Sequence, residues 1–244
     1  MMSRIAFHNG LTAQVVWVEH AEELTPALGE LGLEFPRPTL VLVGGAGALP
    51  DRNRVQLRPL FVGVLAPLVE ALGGCVVDGG TDAGVMRLMG EAHGEISARF
   101  PLIGVASAGT VVLPNTRPPR SDAAPLEPHH GHFVLTPGED WGDEAPWLTR
   151  VASVLAEGVP SVTLLVNGGR VAAEDVLLSL RDRRPVIVVA GSGRLADAVA
   201  GALRASTSES PARELAATGL LQLADLTRGP DLAAMVKRTL TRMG

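Results

Sequence analysis

Four glycine-rich runs stand directly after apolar stretches of the sequence, a pairing that is typical of phosphate binding. Glycine has no side chain, so the main chain at such a turn can approach a ligand closely. The helix after the turn presents free amide hydrogens and a partial positive charge, which suit a phosphate group. One such turn alone would be ordinary chain reversal, whereas four favour a shared ligand site. The runs are Gly44-Gly45-Ala46-Gly47, Gly79-Gly80-Thr81 with Gly84 nearby, Asn167-Gly168-Gly169, and Gly191-Ser192-Gly193-Arg194.

Arg194 is the basic residue best placed in this sequence to bind a phosphate. It follows a glycine-rich run at the predicted start of a helix. A guanidinium group there can donate two parallel hydrogen bonds to a phosphate while backbone amides contact the same group. The alternative is an arginine that is only solvated. No Gly-x-Gly-x-x-Gly opens the first strand–helix unit and no Gly-Lys-Ser/Thr follows a turn, so neither a classical dinucleotide domain nor a Walker nucleoside triphosphatase is indicated.

The turn after Asp78 leaves two interpretations open for each of its central residues. Thr81 can contact a phosphate or ribose, or it can cap the following helix, as Asp82 also can. Gly80 can leave room for a ligand, or it can permit a backbone with positive φ. A valine at position 80 would abolish ligand binding in the first case. In the second case it would lower the melting temperature without any ligand.

Three histidines, His129, His130 and His132, lie close together in the sequence. Imidazole is a common zinc ligand, but no cysteine or His-x-x-x-His spacing accompanies them, so we predict no metal site. One of these histidines is a candidate for a ligand pocket, and we expect structural hydrogen bonding from the others. No motif for a resident cofactor is present either.

The four turns require strands that end at one place, and the rest of the sequence predicts such strands. Near-continuous runs of valine, isoleucine and leucine alternate with helical patterns, as in a parallel sheet that is covered on both faces. All strands of a parallel sheet end at one edge, where ligands bind. We predict a doubly wound α/β fold with strands near 13–19, 39–43, 75–78, 102–106, 133–136, 161–166 and 185–190, and helices near 53–73, 83–99, 143–157, 172–183 and 194–205.

Length and composition favour one compact domain over residues 1–244, because 46% of the residues are hydrophobic and can supply a substantial core. No apolar run approaches the roughly 20 residues that span a bilayer, and the start of the chain does not resemble a signal peptide. With Cys75 as the single cysteine, we expect a cytoplasmic protein. The net charge of −5 argues against nucleic acid and anionic membranes as partners.

Two segments depart from the alternation of strands and helices. Residues 114–132 contain five prolines and predict a long loop. Residues 207–244 predict an appended helical cap with a final helix near 229–243, which is a candidate contact in a homo-oligomer. Pro59 and Pro67 predict that the helix near 53–73 is kinked or split.

Five stretches of the sequence resemble, in order, motifs of the SLOG superfamily. The closest resemblance is to its LSDAT branch, which comprises the cytosolic N-terminal domain of TRPM cation channels and free-standing prokaryotic relatives. The resemblance covers about residues 38–205, and the combination of "DGGTDAGVM", "HHGHF" and "GSGRLAD" makes it specific. The stretches are "LVLVGGAG", "VVDGGTDAGVMRLMGEA", "LEPHHGHFVLTPGEDWGDEAPWL", "VTLLVNGG" and "PVIVVAGSGRLADAVA".

The resemblance implies a Rossmann-like domain that binds a small nucleotide-derived molecule, with ADP-ribose and its relatives as the leading class. The residues implied to bind the ligand come from all four turns and from the "HxHF" position. They are Gly44, Gly45, Ala46, Gly47, Gly80, Thr81, Gly84, His132, Asn167, Gly168, Gly191, Ser192 and Arg194.

The same superfamily includes phosphoribohydrolases, which suggest an enzymatic alternative. Their turn follows the pattern Pro-Gly-Gly-x-Gly-Thr-x-x-Glu, and here the corresponding stretch is "NGGRVAAED". Val171 and Ala172 replace the second glycine and the threonine, which weakens the case for that catalytic site. Glu174 and Asp175 remain as carboxylates that could stabilise an oxocarbenium-like transition state. The competing interpretation is that both are acidic residues in the first turn of a helix.

Overall fold

The computed structural model describes residues 2–45, 47, 51–204 and 218–241. Its centre is a sheet of nine strands in the order β1-β2-β8-β5-β4-β3-β9-β10-β11. All neighbouring strands are parallel except β1 and β2, which are antiparallel. The strands are β1 Met2–Ala6, β2 Thr12–Trp17, β3 Thr39–Gly44, β4 Cys75–Asp78, β5 Leu102–Ser107, β6 Val111–Val112, β7 Ala124–Pro125, β8 His132–Thr136, β9 Ser161–Val166, β10 Val186–Ala190 and β11 Leu221–Asp225.

Helices cover both faces of this sheet. On one face α1, α5, α6 and α7 pack in a single hydrophobic cluster, and on the other α2, α3, α4 and α8 pack in a second. Along β3, Val41 and Val43 belong to the first cluster and Leu40 and Leu42 to the second, because successive side chains of a strand point to opposite faces. The helices are α1 Leu24–Glu30, α2 Asp51–Leu60, α3 Ala66–Ala71, α4 Gly84–Glu95, α5 Ala145–Ala156, α6 Arg170–Arg181, α7 Arg194–Arg204 and α8 Gly229–Thr241.

This architecture confirms the predicted fold class, a Rossmann-like α/β fold with a mostly parallel sheet. The chain leaves β3 for β4 and β5 on one side and later returns to β9, β10 and β11 on the other. The strand order therefore reverses between β3 and β9. Doubly wound folds bind their ligands in the crevice at this point, outside the carboxyl ends of the strands.

The helix predicted near 53–73 is split, as its prolines indicated. The π-helical turn Phe61–Leu65 separates α2 from α3, and the Ala66 amide donates to the Phe61 carbonyl. Pro67 cannot donate to the preceding turn because proline has no N–H, and it lies in the first turn of α3.

The two ends of the chain add strands that the sequence analysis did not predict. β1 forms one edge of the sheet, and β11 extends the other edge parallel to β10. The segment 207–244 is therefore more than a helical cap: among its described residues it contributes a strand as well as α8, the predicted final helix. Residues 205–217 and 242–244 of this segment lie outside the described residues.

Candidate functional site

A cavity of about 450 Å³ lies at the carboxyl edge of the sheet, at the reversal of strand order. The turns after β3, β4, β9 and β10 supply its inner wall, and segments before α5 supply the outer wall. Its lining residues are Leu42, Val43, Gly44, Gly45, Gly47, Gly79, Thr81, Ala83, Met86, Asp122, Ala124, Trp141, Glu144, Leu148, Gly169, Arg170, Val171, Ala172, Asp175 and Arg194.

The four glycine turns thus converge, but only some of the residues predicted to bind the ligand line the cavity. Gly44, Gly45, Gly47, Thr81 and Arg194 do so. Ala46 lies outside the described residues. Six further predicted residues lie in the turns behind the lining: Gly80, Gly84, Asn167, Gly168, Gly191 and Ser192. His132 does not line the cavity either.

Thr81 lines the cavity at the turn after β4. Its side chain is buried, yet within the described part of the chain its Oγ1 has no hydrogen-bond partner. The N-cap of α4 is Ala83 and no side chain caps this helix, so the capping interpretation of Thr81 and Asp82 is wrong. The Asp82 carboxylate instead accepts a hydrogen bond from Arg87, with an Oδ1–Nε distance of 2.6 Å. The Thr81 hydroxyl is therefore available to a ligand.

Gly80 faces the interior of the protein and not the cavity. Its φ is +64°, a left-handed conformation that favours glycine. A Cβ atom at this position would lie 2.7 Å from Gly104 Cα and 3.0 Å from the Phe133 ring. Of the two interpretations of Gly80, the structure supports the one based on backbone conformation. Gly84, with φ of +53°, likewise sets the start of α4 and does not line the cavity.

Asn167 and Ser192 hold the turns after β9 and β10 together. The backbone N–H of Asn167 donates to Ser192 Oγ at 2.8 Å, and the side-chain Nδ2 of Asn167 donates to the Ser192 carbonyl at 2.8 Å. Ser192 Oγ in turn donates to the Val189 carbonyl at 2.6 Å. Both side chains are buried, and these hydrogen bonds position the two turns. Gly168 and Gly191, with φ of +92° and +88°, provide the corresponding chain reversals.

Arg194 reaches the cavity from the first position of α7. Its φ is +47°, and its Nη2 atom lies 3.0 Å from where a Cβ atom on Gly169 would stand. The absence of a side chain at Gly169 therefore lets the guanidinium group pass over the β9 turn. Within the described residues, Arg194 makes no ion pair or side-chain hydrogen bond. Arg170, which is exposed at the start of α6, is a second cation on the lining.

Two buried carboxyl groups, Asp175 and Glu144, also line the cavity. Burial and the nearby charges of Glu144 and Glu174 raise the pKa of Asp175 to about 8. Burial likewise raises the pKa of Glu144 above its ordinary value. α6 begins at Arg170, two residues before its predicted start, so neither Glu174 nor Asp175 lies in the first turn. Glu174 is exposed and does not line the cavity.

The predicted loop 114–132 forms part of the outer wall. It contains β7, which pairs with β6, and Leu126 forms an isolated bridge with Thr81. Trp141 donates from Nε1 to the Asp122 carboxylate at 3.3 Å, and Arg120 forms ion pairs with Asp122 and Asp140. Arg120 is therefore engaged in the wall, while Trp141 and Asp122 face the cavity.

A buried ionic network ties this loop to the β4 turn. His130 Nδ1 lies 2.8 Å from a Glu127 carboxylate oxygen, and its Nε2 lies 2.9 Å from Asp78 Oδ1, which also accepts from the Gly80 amide at 2.7 Å. Burial alone would lower the pKa of His130, but the carboxylates of Asp78 and Glu127 more than offset it and raise the pKa to about 9. His130 is therefore an imidazolium between two carboxylates at neutral pH.

His132 lies at the amino end of β8, at the opposite end of that strand from the edge that carries the cavity. Its assignment to the ligand pocket therefore does not match its place in the structure. Burial and the positive charge of His130 lower its pKa to about 4, so His132 is neutral at physiological pH. No group of three or more metal-ligating side chains with suitable geometry occurs among the residues that the structure describes.

Fold and site together define a Rossmann-like α/β protein with a phosphate-compatible cavity at the reversal of strand order. The family model described as "SLOG in TRPM, prokaryote" matches residues 37–234, so the chain belongs to this family.

The chain is also similar to parts of two cation channels and to one solved structure. Over 214 residues the chain is 28% identical to transient receptor potential cation channel subfamily M member-like 2 of Nematostella vectensis, covering 72% of this chain. It is 25% identical over 214 residues to subfamily M member 2 of Mus musculus, covering 73% of this chain. The chain matches only 14% of the length of either channel. The X-ray structure of TM1055, a structural genomics target, shares the fold with a TM-score of 0.54 at 18% identity, covering 81% of this chain and 98% of that one.

Proposed function

We propose that this protein binds a phosphorylated nucleotide derivative, of the ADP-ribose class, in the cavity at the carboxyl edge of the sheet. The observation that carries the proposal is that two groups suited to such a ligand, the Arg194 guanidinium and the Thr81 hydroxyl, line one cavity without partners among the described residues. An unpaired buried polar atom such as Thr81 Oγ1 is rare in folded proteins, and a ligand would satisfy it.

The size and charge of the cavity support this proposal. A volume of about 450 Å³ is in the range of small-molecule sites, which combine apolar walls with a few polar groups. The chain as a whole carries a net charge of −5, so an anion must be attracted locally. Arg170 and Arg194 supply this local charge, and each begins a helix whose amino end also favours anions.

Family membership supports a nucleotide-related ligand as well. The relatives named above are cation channels, and this chain aligns with a small part of each. We propose that the shared segment is a ligand-sensing domain and that this chain uses the same cavity without the channel. Calorimetric titration with ADP-ribose tests the proposal directly. An absence of heat at millimolar ligand, with folded protein, would contradict it.

Arg194→Ala is expected to weaken ADP-ribose binding by about 1.5–3 kcal/mol, roughly 10- to 150-fold, because a charged hydrogen bond to phosphate is lost. Isothermal titration calorimetry measures this change. The matched control is Arg181→Ala, which removes an exposed arginine from the far end of α6. Equal affinity in the Arg194→Ala and Arg181→Ala variants would show that Arg194 does not contact the phosphate.

Thr81→Val is expected to reduce affinity for ADP-ribose by about 1–2 kcal/mol, because it removes only a hydroxyl that binds the ligand. The melting temperature should stay the same or rise, since this hydroxyl has no partner in the free protein. Thr110→Val is the matched control, because the Thr110 hydroxyl donates to the Ser107 carbonyl at 2.9 Å. The control should lose stability and keep its affinity. A Thr81→Val variant that loses stability and keeps its affinity would instead assign Thr81 a structural role.

A second candidate function is hydrolysis of an N-glycosidic or phosphoribosyl bond. It is favoured by the burial of Asp175 on the cavity wall, beside Glu144, where a carboxyl group could act on a bound ribose. Incubation with ADP-ribose, NAD and AMP, followed by chromatography, separates the two functions. Released base, nicotinamide or ribose phosphate would establish turnover, and intact ligand after long incubation with bound protein would favour binding alone.

The cellular location and the oligomeric state of this protein remain predictions. Of the helices that the structure describes, none has both the length and the apolar character needed to span a bilayer. We propose a cytoplasmic location, consistent with the buried free thiol of Cys75, and a homo-oligomer. Light scattering of the purified chain measures its oligomeric state, and a monomeric mass at high protein concentration would contradict the homo-oligomer.

A further inference from the structure

Two carboxyl residues line the cavity near the contact between α5 and α6. Asp175 lies in the second turn of α6, and Glu144 immediately precedes α5. Residue exposure is only 8% for Asp175 and 9% for Glu144, although both border the cavity. Two acidic groups are thus withdrawn from bulk water at a site whose proposed ligand is an anion.

The hydrogen bonds of the two groups differ. Glu144 Oε2 accepts from the Gly142 amide at 3.0 Å and from Ser107 Oγ at 3.4 Å. Asp175 has no side-chain hydrogen bond or ion pair within the described part of the chain. A buried carboxylate without donors is strongly disfavoured, whereas a neutral carboxylic acid carries a hydrogen that needs an acceptor. No described protein group supplies this acceptor. A ligand bound in the cavity could supply it.

The charged groups around Asp175 do not neutralise a negative charge there. Glu144 on the α5 side and Glu174 on α6 both act against its ionisation. The strands β3, β9 and β10, which pack under α6, contain no titratable side chain, and Arg150 of α5 is exposed. The cations on the cavity lining, Arg170 and Arg194, are exposed as well.

We infer that Asp175 is a neutral carboxylic acid in the working protein and that it donates a hydrogen bond to an oxygen acceptor of the phosphorylated ligand. The ligand contact rests on the proposed function, whereas the neutral state of Asp175 is a property of the free protein. Asp175 would then select ligands that combine negative charge with an acceptor oxygen at this depth of the cavity.

The charges around Asp175 agree with its assignment as a neutral carboxylic acid. Burial, followed by the charges of Glu144 and Glu174, raises the pKa of Asp175 to about 8. Two carboxyl groups in a shared buried site do not both ionise readily, and an anionic ligand would disfavour ionisation further. Ligand affinity should therefore be highest when Asp175 is protonated and should fall as the pH rises above about 8.

Calorimetry with ADP-ribose at pH 6.5 and pH 9 tests the ligand contact, because the diphosphate of this ligand does not titrate in that range. Wild-type affinity is expected to fall about tenfold, since pH 9 lies about one unit above the pKa. Asp175→Asn is isosteric and permanently neutral, and it should bind with less than about a twofold change between the two pH values. Glu157→Gln, which removes an exposed carboxylate at the C-terminal end of α5, is the matched control and should keep the wild-type pH dependence.

Thermal unfolding without ligand tests the neutral state of Asp175 separately. The folded pKa of Asp175 is raised above its unfolded value of 3.8, so the wild type should lose stability relative to Asp175→Asn as the pH rises from about 4 to 8. Melting temperatures that differ by a constant amount over this range would overturn the inference. Equal pH dependence of binding in the wild type and Asp175→Asn would overturn the ligand contact. No binding of ADP-ribose at any pH, with diverging melting temperatures, would refute the proposed function and the ligand contact but leave the neutral state of Asp175 established.

Discussion

Replacing Gly80 by valine is expected to destabilise the protein by about 3–5 kcal/mol in the absence of any ligand. The φ of +64° at Gly80 disfavours every residue with a Cβ atom, at a cost of about 1–3 kcal/mol. The new side chain would also overlap Gly104, whose Cα lies 2.7 Å from the Cβ position, and would press on the Phe133 ring. Overpacking of this kind adds about 1–3 kcal/mol, and neither neighbour can move without displacing β5 or β8.

Differential scanning calorimetry should show the melting temperature of Gly80→Val lowered by roughly 6–20 °C, given about 2–4 °C per kcal/mol for a chain of this size. Gly131→Ala is a matched control, because Gly131 has no positive φ and nothing lies within 4 Å of its Cβ position. It should melt like the wild type. A Gly80→Val protein that is equally stable but no longer binds ADP-ribose would instead place Gly80 in the ligand site.

His130→Leu is expected to destabilise the protein by about 3–5 kcal/mol at pH 7, because it leaves the buried carboxylates of Asp78 and Glu127 without their shared cation. His129→Leu is the control. His129 also bonds to Glu127, at 2.7 Å, but its side chain is 29% exposed, so its loss should change stability by only about 1 kcal/mol. Urea denaturation measures both values. Similar midpoints for the two variants would show that His130 is not the central cation.

The contribution of His130 to stability should depend on pH in a defined direction. The folded pKa of about 9 lies above the ordinary value of 6.5, so the contribution is complete below about pH 6.5 and is lost as the pH rises through 9. The difference in unfolding free energy between the wild type and His130→Leu should therefore narrow from pH 6.5 to pH 9.5. A difference that stays constant or grows with pH would mean that His130 is neutral in the folded protein.

Some of the fold and the site could be predicted from local sequence patterns. Apolar runs such as Val162–Val166 can be satisfied only by burial on both faces, and this condition implies parallel strands with helices on either side. Since parallel strands end at one edge, the convergence of the four turns followed without coordinates. Arg194 was predicted to lie at this edge for the same reason, because it begins the helix after the last turn.

The edge strands β1 and β11 were not predicted because their hydrophobic patterns are weak. β1 is mostly exposed, and β11 is only partly buried, so neither carries the continuous apolar run that marks the central strands. Glu144 gave no sequence signal that distinguishes it from the other acids before α5. The predicted start of α6 was two residues late, so one interpretation placed Asp175 in the first turn, whereas it lies in the second turn and lines the cavity.

The sequence by itself determined that four glycine turns would meet at one edge of a parallel sheet, but it could not determine which of their residues face the ligand. Gly80 and Thr81 are neighbours in one turn, and yet Gly80 packs on Gly104 and Phe133 while Thr81 lines the cavity. The direction of each side chain depends on the φ and ψ angles of the turn and on neighbours that are distant in the sequence. Strand pairing alone brings those neighbours together, so only the tertiary structure decided the composition of the site.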